Sequence, residues 1–339
     1  MEDKPIEGYY LETVEGLFFA VKGVVHPQER FFAYLRYVPE PQGERVREGI
    51  RYRRLYEFEE QQAFLEKKYP VYLGMDPILG TSVQCVPLSL VKKIYNPRWK
   101  LAELRERKGD ELENTALKFA HLLRNQAGIK EENLGVSGSL LLGLHLANSD
   151  IDLIVFGMEP AKRVYSVLTN LMEEPQYGLE RLNPDELKGL YRRRSQEKAL
   201  TLEQFQKTER RKVLQGKFLG REFFLRMVKE PWEVDENYGE RIYTPLGKVT
   251  IQGRIKDSSE AIFTPCVYKI EEVEILEGDS EFLPQEIVSF RGRFCEQARK
   301  GEVIVAKGKL EKVLSRDGKA NYRILLCDSE DFMYEKSPE

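Results

Sequence analysis

The 339-residue chain has only four cysteines and three histidines, and no two cysteines form a C-x-x-C pair. Cys85, Cys266, Cys295 and Cys327 are scattered, which argues against a zinc ribbon or a disulfide framework and for buried thiols in a reducing compartment. No apolar run approaches the ~20 residues that span a bilayer. The opening "MEDKPIEGYY" has no apolar core of a secretory leader. Both absences point to the cytoplasm and away from a membrane. The charge lacks a dominant sign: 53 Lys and Arg against 56 Asp and Glu leave a net −3. Whole-chain electrostatics therefore do not announce nucleic acid, and any basic surface has to be local. There is no fixed-period repeat and no low-complexity tract.

What is present fits a soluble, globular chain: 41% hydrophobic and 32% charged residues, long enough for two or three domains. Many Glu, Lys and Arg beside few His would suit a thermophile. Residues 1–100 read as an α+β region of unknown role. "GLFFAVKGVVH" and "RFFAYLRYVPE" predict a hairpin, "YEFEEQQAFLEKKYP" a short helix stopped by Pro70, and "TSVQCVP" a strand. From Leu101 to about Ala127, apolar residues recur at threes and fours, predicting one helix ended by Gly128. Further helices are expected in "EPAKRVYSVLTNLMEE", in "NPDELKGLYRRRSQEK" behind the Asn183 cap and Pro184, and in "TLEQFQKTERRKVLQ"; "REFFLRMVKE" reads as a strand. After a linker at 232–239, five β-rich runs split by Gly, Asp-Gly or Pro predict a small all-β domain over 240–332, a barrel by its spacing.

The chemistry is concentrated in "GVSGSLLLGLHLANSDIDLIVFG", residues 135–157. Its second half reads as a buried strand, yet it carries Asp150 and Asp152. Residues i and i+2 of a strand point the same way, so both carboxylates share a face. Their repulsion raises their pKa values, and a divalent cation relieves it. Mg²⁺ favours oxygen ligands and keeps positions open for phosphate oxygens, and a metal pair can clamp an in-line phosphoryl displacement. Upstream, Gly138 lets backbone approach a phosphate, and a helix starting at Ser139 would aim N–H groups at it.

Gly138-Ser139, the ten-residue spacer 140–149 and Asp150-x-Asp152 resemble the signature of the polymerase beta-type nucleotidyltransferases, in the "SDID" form of the minimal, prokaryotic-like branch. The whole chain resembles a larger type of uncharacterised archaeal and thermophile multidomain protein. The resemblance implies an α+β fold: a central mixed sheet with flanking helices over 101–231, between the N-terminal region and an OB-like barrel. It implies transfer of a nucleotidyl group from a nucleoside triphosphate to a hydroxyl of RNA, nucleotide or protein. Asp150 and Asp152 would hold Mg²⁺, and Gly138, Ser139 and Ser149 the nucleotide. The family's third carboxylate lies on a later strand. Here Glu222 is its candidate, or Arg226 stands in that place, on a phosphate or as a counter-ion to the aspartates. A catalytically degenerate module that binds nucleotide or RNA is the alternative. Residues 140–142 after Gly-Ser are leucines, where minimal members often carry basic or aromatic residues.

Arg192, Arg193, Arg194, Arg210, Arg211 and Lys212 cluster in sequence next to the proposed site, as a nucleic-acid contact or a solvated helix face. Arg254, Lys256, Arg291, Arg293, Phe294, Arg299, Lys300 and Lys307 could line a single-strand groove of the barrel. "RVREGIRYRRLYEF" is basic and could pack beside the site or form a surface hairpin.

Overall fold

The computed structural model describes residues 4–194 and 200–336. Its elements run β1 (Tyr10–Thr13), β2 (Phe18–Val21), β3 (Arg30–Pro39), β4 (Arg45–Arg47), β5 (Ile50–Arg54), α1 (Phe58–Lys68), β6 (Leu73–Asp76), β7 (Thr81–Pro87) and β8 (Val91–Tyr95). Next come α2 (Pro97–Glu106), α3 (Glu111–Ala127), β9 (Leu134–Val136), α4 (Gly138–Leu142), β10 (Ile151–Phe156), α5 (Met158–Leu171), β11 (Leu179–Glu180), α6 (Pro184–Arg193), α7 (Leu202–Glu209), β12 (Gln215–Phe218) and β13 (Arg221–Val228). Then follow β14 (Arg241–Glu260), β15 (Cys266–Glu277), β16 (Glu286–Ser289), β17 (Val303–Ser315), β18 (Ala320–Leu325) and β19 (Phe332–Glu335). The class is α+β, with seven α-helices among the described residues. The four cysteines are free.

The chain forms two compact units. One comprises residues 1–77, 81–179 and 217–238; the other comprises 78–80, 180–216 and 239–339. The expected border at residue 100 thus runs through the interior of the first unit, and the helical stretch 180–216 groups with the C-terminal strands. The expected single helix from Leu101 is two. Asp110 accepts from the Glu113 N–H and Glu113 returns a bond to the Asp110 N–H, a capping box that starts a new helix after Gly109. Gly128 ends it in the left-handed conformation, φ 59°.

In the first unit, the N-terminal sheet runs β4-β5-β3-β2-β1-β8, with β7 pairing β3 and β6 pairing β7. The expected β2–β3 hairpin is there. Every residue of β1 and β2 is buried, because both faces of this sheet are covered. One face packs Leu11, Phe19, Val21 and Leu35 against Ile154, Phe156 and Val228. The other packs Tyr10, Phe18, Ala20 and Tyr37 against Leu141, Leu142 and Leu144. A second sheet runs β11-β12-β13-β10-β9, with β10 parallel to β13 and antiparallel to β9. Phe119 of α3 meets the rings of Phe218 and Phe223 at 4.8 and 4.7 Å, covering the side of this sheet turned away from Asp152.

In the second unit, β14 pairs β15, β15 pairs β16, β16 runs parallel to β18, β18 pairs β17, and β17 returns to β14. The pairings therefore close a ring. β19, which the sequence pattern did not suggest, adds to β17.

Candidate active site

β10 begins directly after the turn that carries Ser149 and Asp150. Ser149 is buried, and its hydroxyl accepts from the Leu146 N–H at 2.9 Å, closing that turn. Asp152 sits between two neighbours. Phe224 is its register partner on β13, and its carbonyl accepts from the Ser137 N–H at 2.9 Å, so the chain leading into α4 is held alongside it. Gly138 then turns at φ +61°, and a Cβ there would lie 1.9 Å from Asp152 Oδ2. Glycine is required for the dihedral and again for the carboxylate's approach.

Both carboxylates are partly exposed. Among the described residues, neither has a hydrogen-bond or ion-pair partner for its side-chain oxygens. Burial, and then the charge of Asp150, push the Asp152 carboxyl up to about 7, with Arg54, Arg226 and Arg36 pulling it back. Two neighbouring acids without an ion-pair partner could hold a hard divalent cation, which would replace the missing counter-charge.

The site opens into a cleft of about 70 Å³ in the first unit, lined by Ser137, Gly138, Asp152, Phe224 and Arg226, and from the N-terminal sheet by Tyr10, Lys22, Arg36 and Arg54. Arg226 donates to Glu7 Oε1 at 2.9 Å, and Lys22 donates to the same oxygen at 2.9 Å. The second Glu7 oxygen accepts from the Gly23 N–H at 2.8 Å. Arg226 therefore pairs with Glu7 and makes no ion pair with either aspartate, on which its charge acts only through space. It stands in register with Ile154, one pleat beyond Asp152. The position beside Asp152 is Phe224. Glu222 precedes the Phe223–Ile151 pair and is exposed, so alternation puts it on the aspartate face at the level of Asp150.

The N-terminal sheet also explains the leucines after Ser139. Leu140, Leu141 and Leu142 are buried, and the latter two pack under Tyr10, Phe18 and Tyr37. Ser137 Oγ donates to the Gly8 carbonyl at 2.7 Å, and Arg45 donates to the Leu144 carbonyl at 2.7 Å. Glu7, Tyr10, Lys22 and Arg36 were not singled out by sequence reasoning. Only Arg36 has a local signal, the alternation of β3, in which Arg30, Phe32, Tyr34 and Arg36 are half-buried between buried neighbours. Arg54 belongs to the basic "RYRRLYEF" stretch, so part of that stretch does lie beside the site.

The basic cluster at 192–212 belongs to the second unit. Arg211 binds Glu302 with two nitrogens at 2.6 and 2.9 Å and also the Gln297 carbonyl. Lys212 is buried on Glu209, the Arg293 carbonyl and Gln297. Arg194 meets Glu209 at 3.3 Å. These three cations are committed to internal pairs, while Arg192, Arg193 and Arg210 are exposed. Phe294 is buried, so it offers no stacking surface; Arg254 pairs with Glu272 at 2.8 Å, and Arg291 donates to the carbonyls of Cys327 and Asp328. Cys327, Asp328 and Asp331 also cluster in this unit. Lys248 sits 2.9 Å from Asp328 and 3.6 Å from Asp331, and backbone N–H groups of Cys327 and Asp328 bind the other Asp331 oxygen. That cluster has its own cation and is a clasp between strands.

A family model described as a nucleotidyltransferase domain matches residues 121–217, which include Gly138, Ser139, Asp150 and Asp152. An uncharacterized protein of Methanocaldococcus jannaschii is 36% identical over 327 residues, covering 94% of each chain. The chain belongs to this family of nucleotidyltransferase-domain proteins. No solved structure matches it. The nucleotidyltransferase match ends before β13, so Glu222 and Arg226 lie outside it. No described helix is long and apolar enough to cross a membrane.

Proposed function

We propose that the first unit is a Mg²⁺-dependent nucleotidyltransferase that joins a nucleotidyl group from a nucleoside triphosphate to a hydroxyl acceptor. The observation that carries this reading is the pair of unpartnered carboxylates, Asp150 and Asp152, the second of them seated against Gly138. Asp150 and Asp152 would hold the metal, with Glu222 at the edge of the same face. A divalent cation there supplies charge neutralisation at the reacting phosphate and lowers the pKa of the attacking hydroxyl. The backbone at Gly138 and Ser139 approaches the phosphates, and Ser149 fixes the turn that aims Asp150. Arg226, anchored on Glu7, lines the cleft.

For the acceptor, the ring of strand pairings in the second unit, with its single parallel pair, supports an OB-type barrel, and such barrels bind single strands. The exposed Arg192, Arg193 and Arg210 add local positive charge to that unit. RNA or another single strand is thus the acceptor class this reading favours.

The test is Asp150→Asn with Asp152→Asn. Calorimetry should show nucleotide binding that Mg²⁺ strengthens in the native protein and no Mg²⁺-dependent gain in the variant, whose melting temperature is equal or higher because the mutual repulsion is gone. Equal affinity in both would sink the assignment. One observation favours a second reading, a binding module without turnover: Phe224, not an acid, is the register partner of Asp152. Labelled-nucleotide transfer separates the two, since a binding module holds nucleotide and leaves it intact.

A further inference from the structure

Arg36 on β3 and Arg54 on β5 both line the cleft with Asp152. Among the described residues, neither guanidinium has a hydrogen-bond or ion-pair partner, and Arg54 Nε is buried without one. Arg54 lies 6.0 Å from the Tyr37 ring and 4.8 Å from the Tyr56 ring, contacts that do not replace hydrogen bonds. Desolvation by burial pulls the pKa of Arg36 down; burial opposes the Arg54 charge as well, but Tyr37, Tyr10, Asp152 and Asp150 outweigh it and raise that pKa. Both arginines are half-buried, and a guanidinium drawn partly out of water without a hydrogen-bond partner is costly. Asp152 and Asp150 favour the Arg54 charge across the cleft without hydrogen-bonding it, while Lys22 and Arg226 already share Glu7. Four cations thus line the cleft with two carboxylates, Glu7 and Asp152, and Asp152 is a metal donor of the proposed reaction.

The other side of the cleft offers Arg226, which is already paired with Glu7. The turn after Gly138 carries leucines that pack beneath the N-terminal sheet, so a phosphate arriving there meets backbone alone. The covering sheet brings the charge that this turn lacks.

We propose that Arg36 and Arg54 form a polyphosphate clamp, holding the terminal phosphates of the nucleoside triphosphate while Asp150 and Asp152 hold the metal. The proposal rests on the reading that the cleft takes a triphosphate. Guanidinium forks match phosphate oxygens in pairs, and a tripolyphosphate tail supplies the anion that both groups lack. They are positioning residues: they fix the leaving end of the substrate so that its α-phosphate lies at the metal.

The experiment uses the full-length chain and inorganic tripolyphosphate, without divalent ion, by calorimetry. Native protein should bind it, and Arg36→Met with Arg54→Met should weaken binding by at least tenfold. In the same variant, Mn²⁺ affinity should stay equal or rise, because two cations have left the neighbourhood of the aspartates. The variant should still melt cooperatively, which separates loss of the clamp from loss of the fold. Should the methionine variant not fold, Arg36→Lys with Arg54→Lys keeps the charge but loses the fork, and should cost about tenfold in tripolyphosphate affinity. No binding by native protein, unchanged binding in the variant, or a marked fall in melting temperature with binding intact would overturn the clamp. Asp150→Asn with Asp152→Asn should retain tripolyphosphate binding, so an inactive aspartate site and a failed clamp give different results.

Discussion

Asp152 shows how one side chain is set by its neighbours on three sides. β13 supplies Phe224, Asp150 supplies like charge, and Gly138 supplies the gap into which the carboxylate fits. Gly138→Ala tests that gap. A Cβ 1.9 Å from Asp152 Oδ2 would displace the carboxylate, and φ +61° adds backbone strain. We expect a loss of about 1–3 kcal/mol in a thermal or urea melt and a loss of about 10²-fold in Mg²⁺-dependent nucleotide transfer. A variant with native activity would mean the carboxylate does not work from this position.

Among the elements, β1 and α4 owe their character to each other. Three leucines after Gly-Ser would be an exposed apolar turn in a free-standing domain; here the N-terminal sheet buries them. The same contact brings Glu7, from the segment before β1, under β13, where it is buried between Lys22 and Arg226. Glu7→Gln removes the charge both cations share. Leaving them uncompensated should destabilise the first unit by about 3 kcal/mol near pH 6. The loss should shrink toward pH 9. Burial already lowers the Lys22 pKa to about 8, with Glu7 holding it up. Without Glu7 it falls further, and a group whose folded pKa is depressed below that of an unfolded lysine regains stability as pH rises and it sheds its proton. Denaturant melts at the two pH values check the sign; a loss independent of pH would assign Glu7 a packing role only.

At the scale of the whole molecule, the two units divide the charge differently. The first turns its unpaired cations into the cleft, while the second ties Arg194, Arg211 and Lys212 into internal pairs and exposes Arg192, Arg193 and Arg210. If a single strand is the acceptor, affinity should fall steeply with salt. Changing the three exposed arginines to alanine should then reduce the slope of log affinity against log salt by about 2, since each neutralised phosphate of a single strand contributes about 0.7. Filter binding over a salt series measures it, and an unchanged slope would remove these residues from the interface.

Sequence alone determined the local features. The β2–β3 hairpin, α1, α3, α5, the strand character of β13 and the strand-rich C-terminal part follow from periodicity and from Gly, Pro and cap residues, which act within a few positions of themselves. So does the Asp150-x-Asp152 pairing, because strand alternation is a local rule. The break between α2 and α3 was also written locally, as Asp110 and Glu113, but the apolar periodicity ran across it and masked the cap. Tertiary structure alone decided the rest. Arg226 pairs with a residue more than two hundred positions away, Arg36 and Arg54 reach Asp152 only because their sheet packs over α4, and residues 180–216 fold with the C-terminal strands. Such partners are chosen by packing between distant segments, and nothing in the short-range pattern of either segment encodes which surface will cover it.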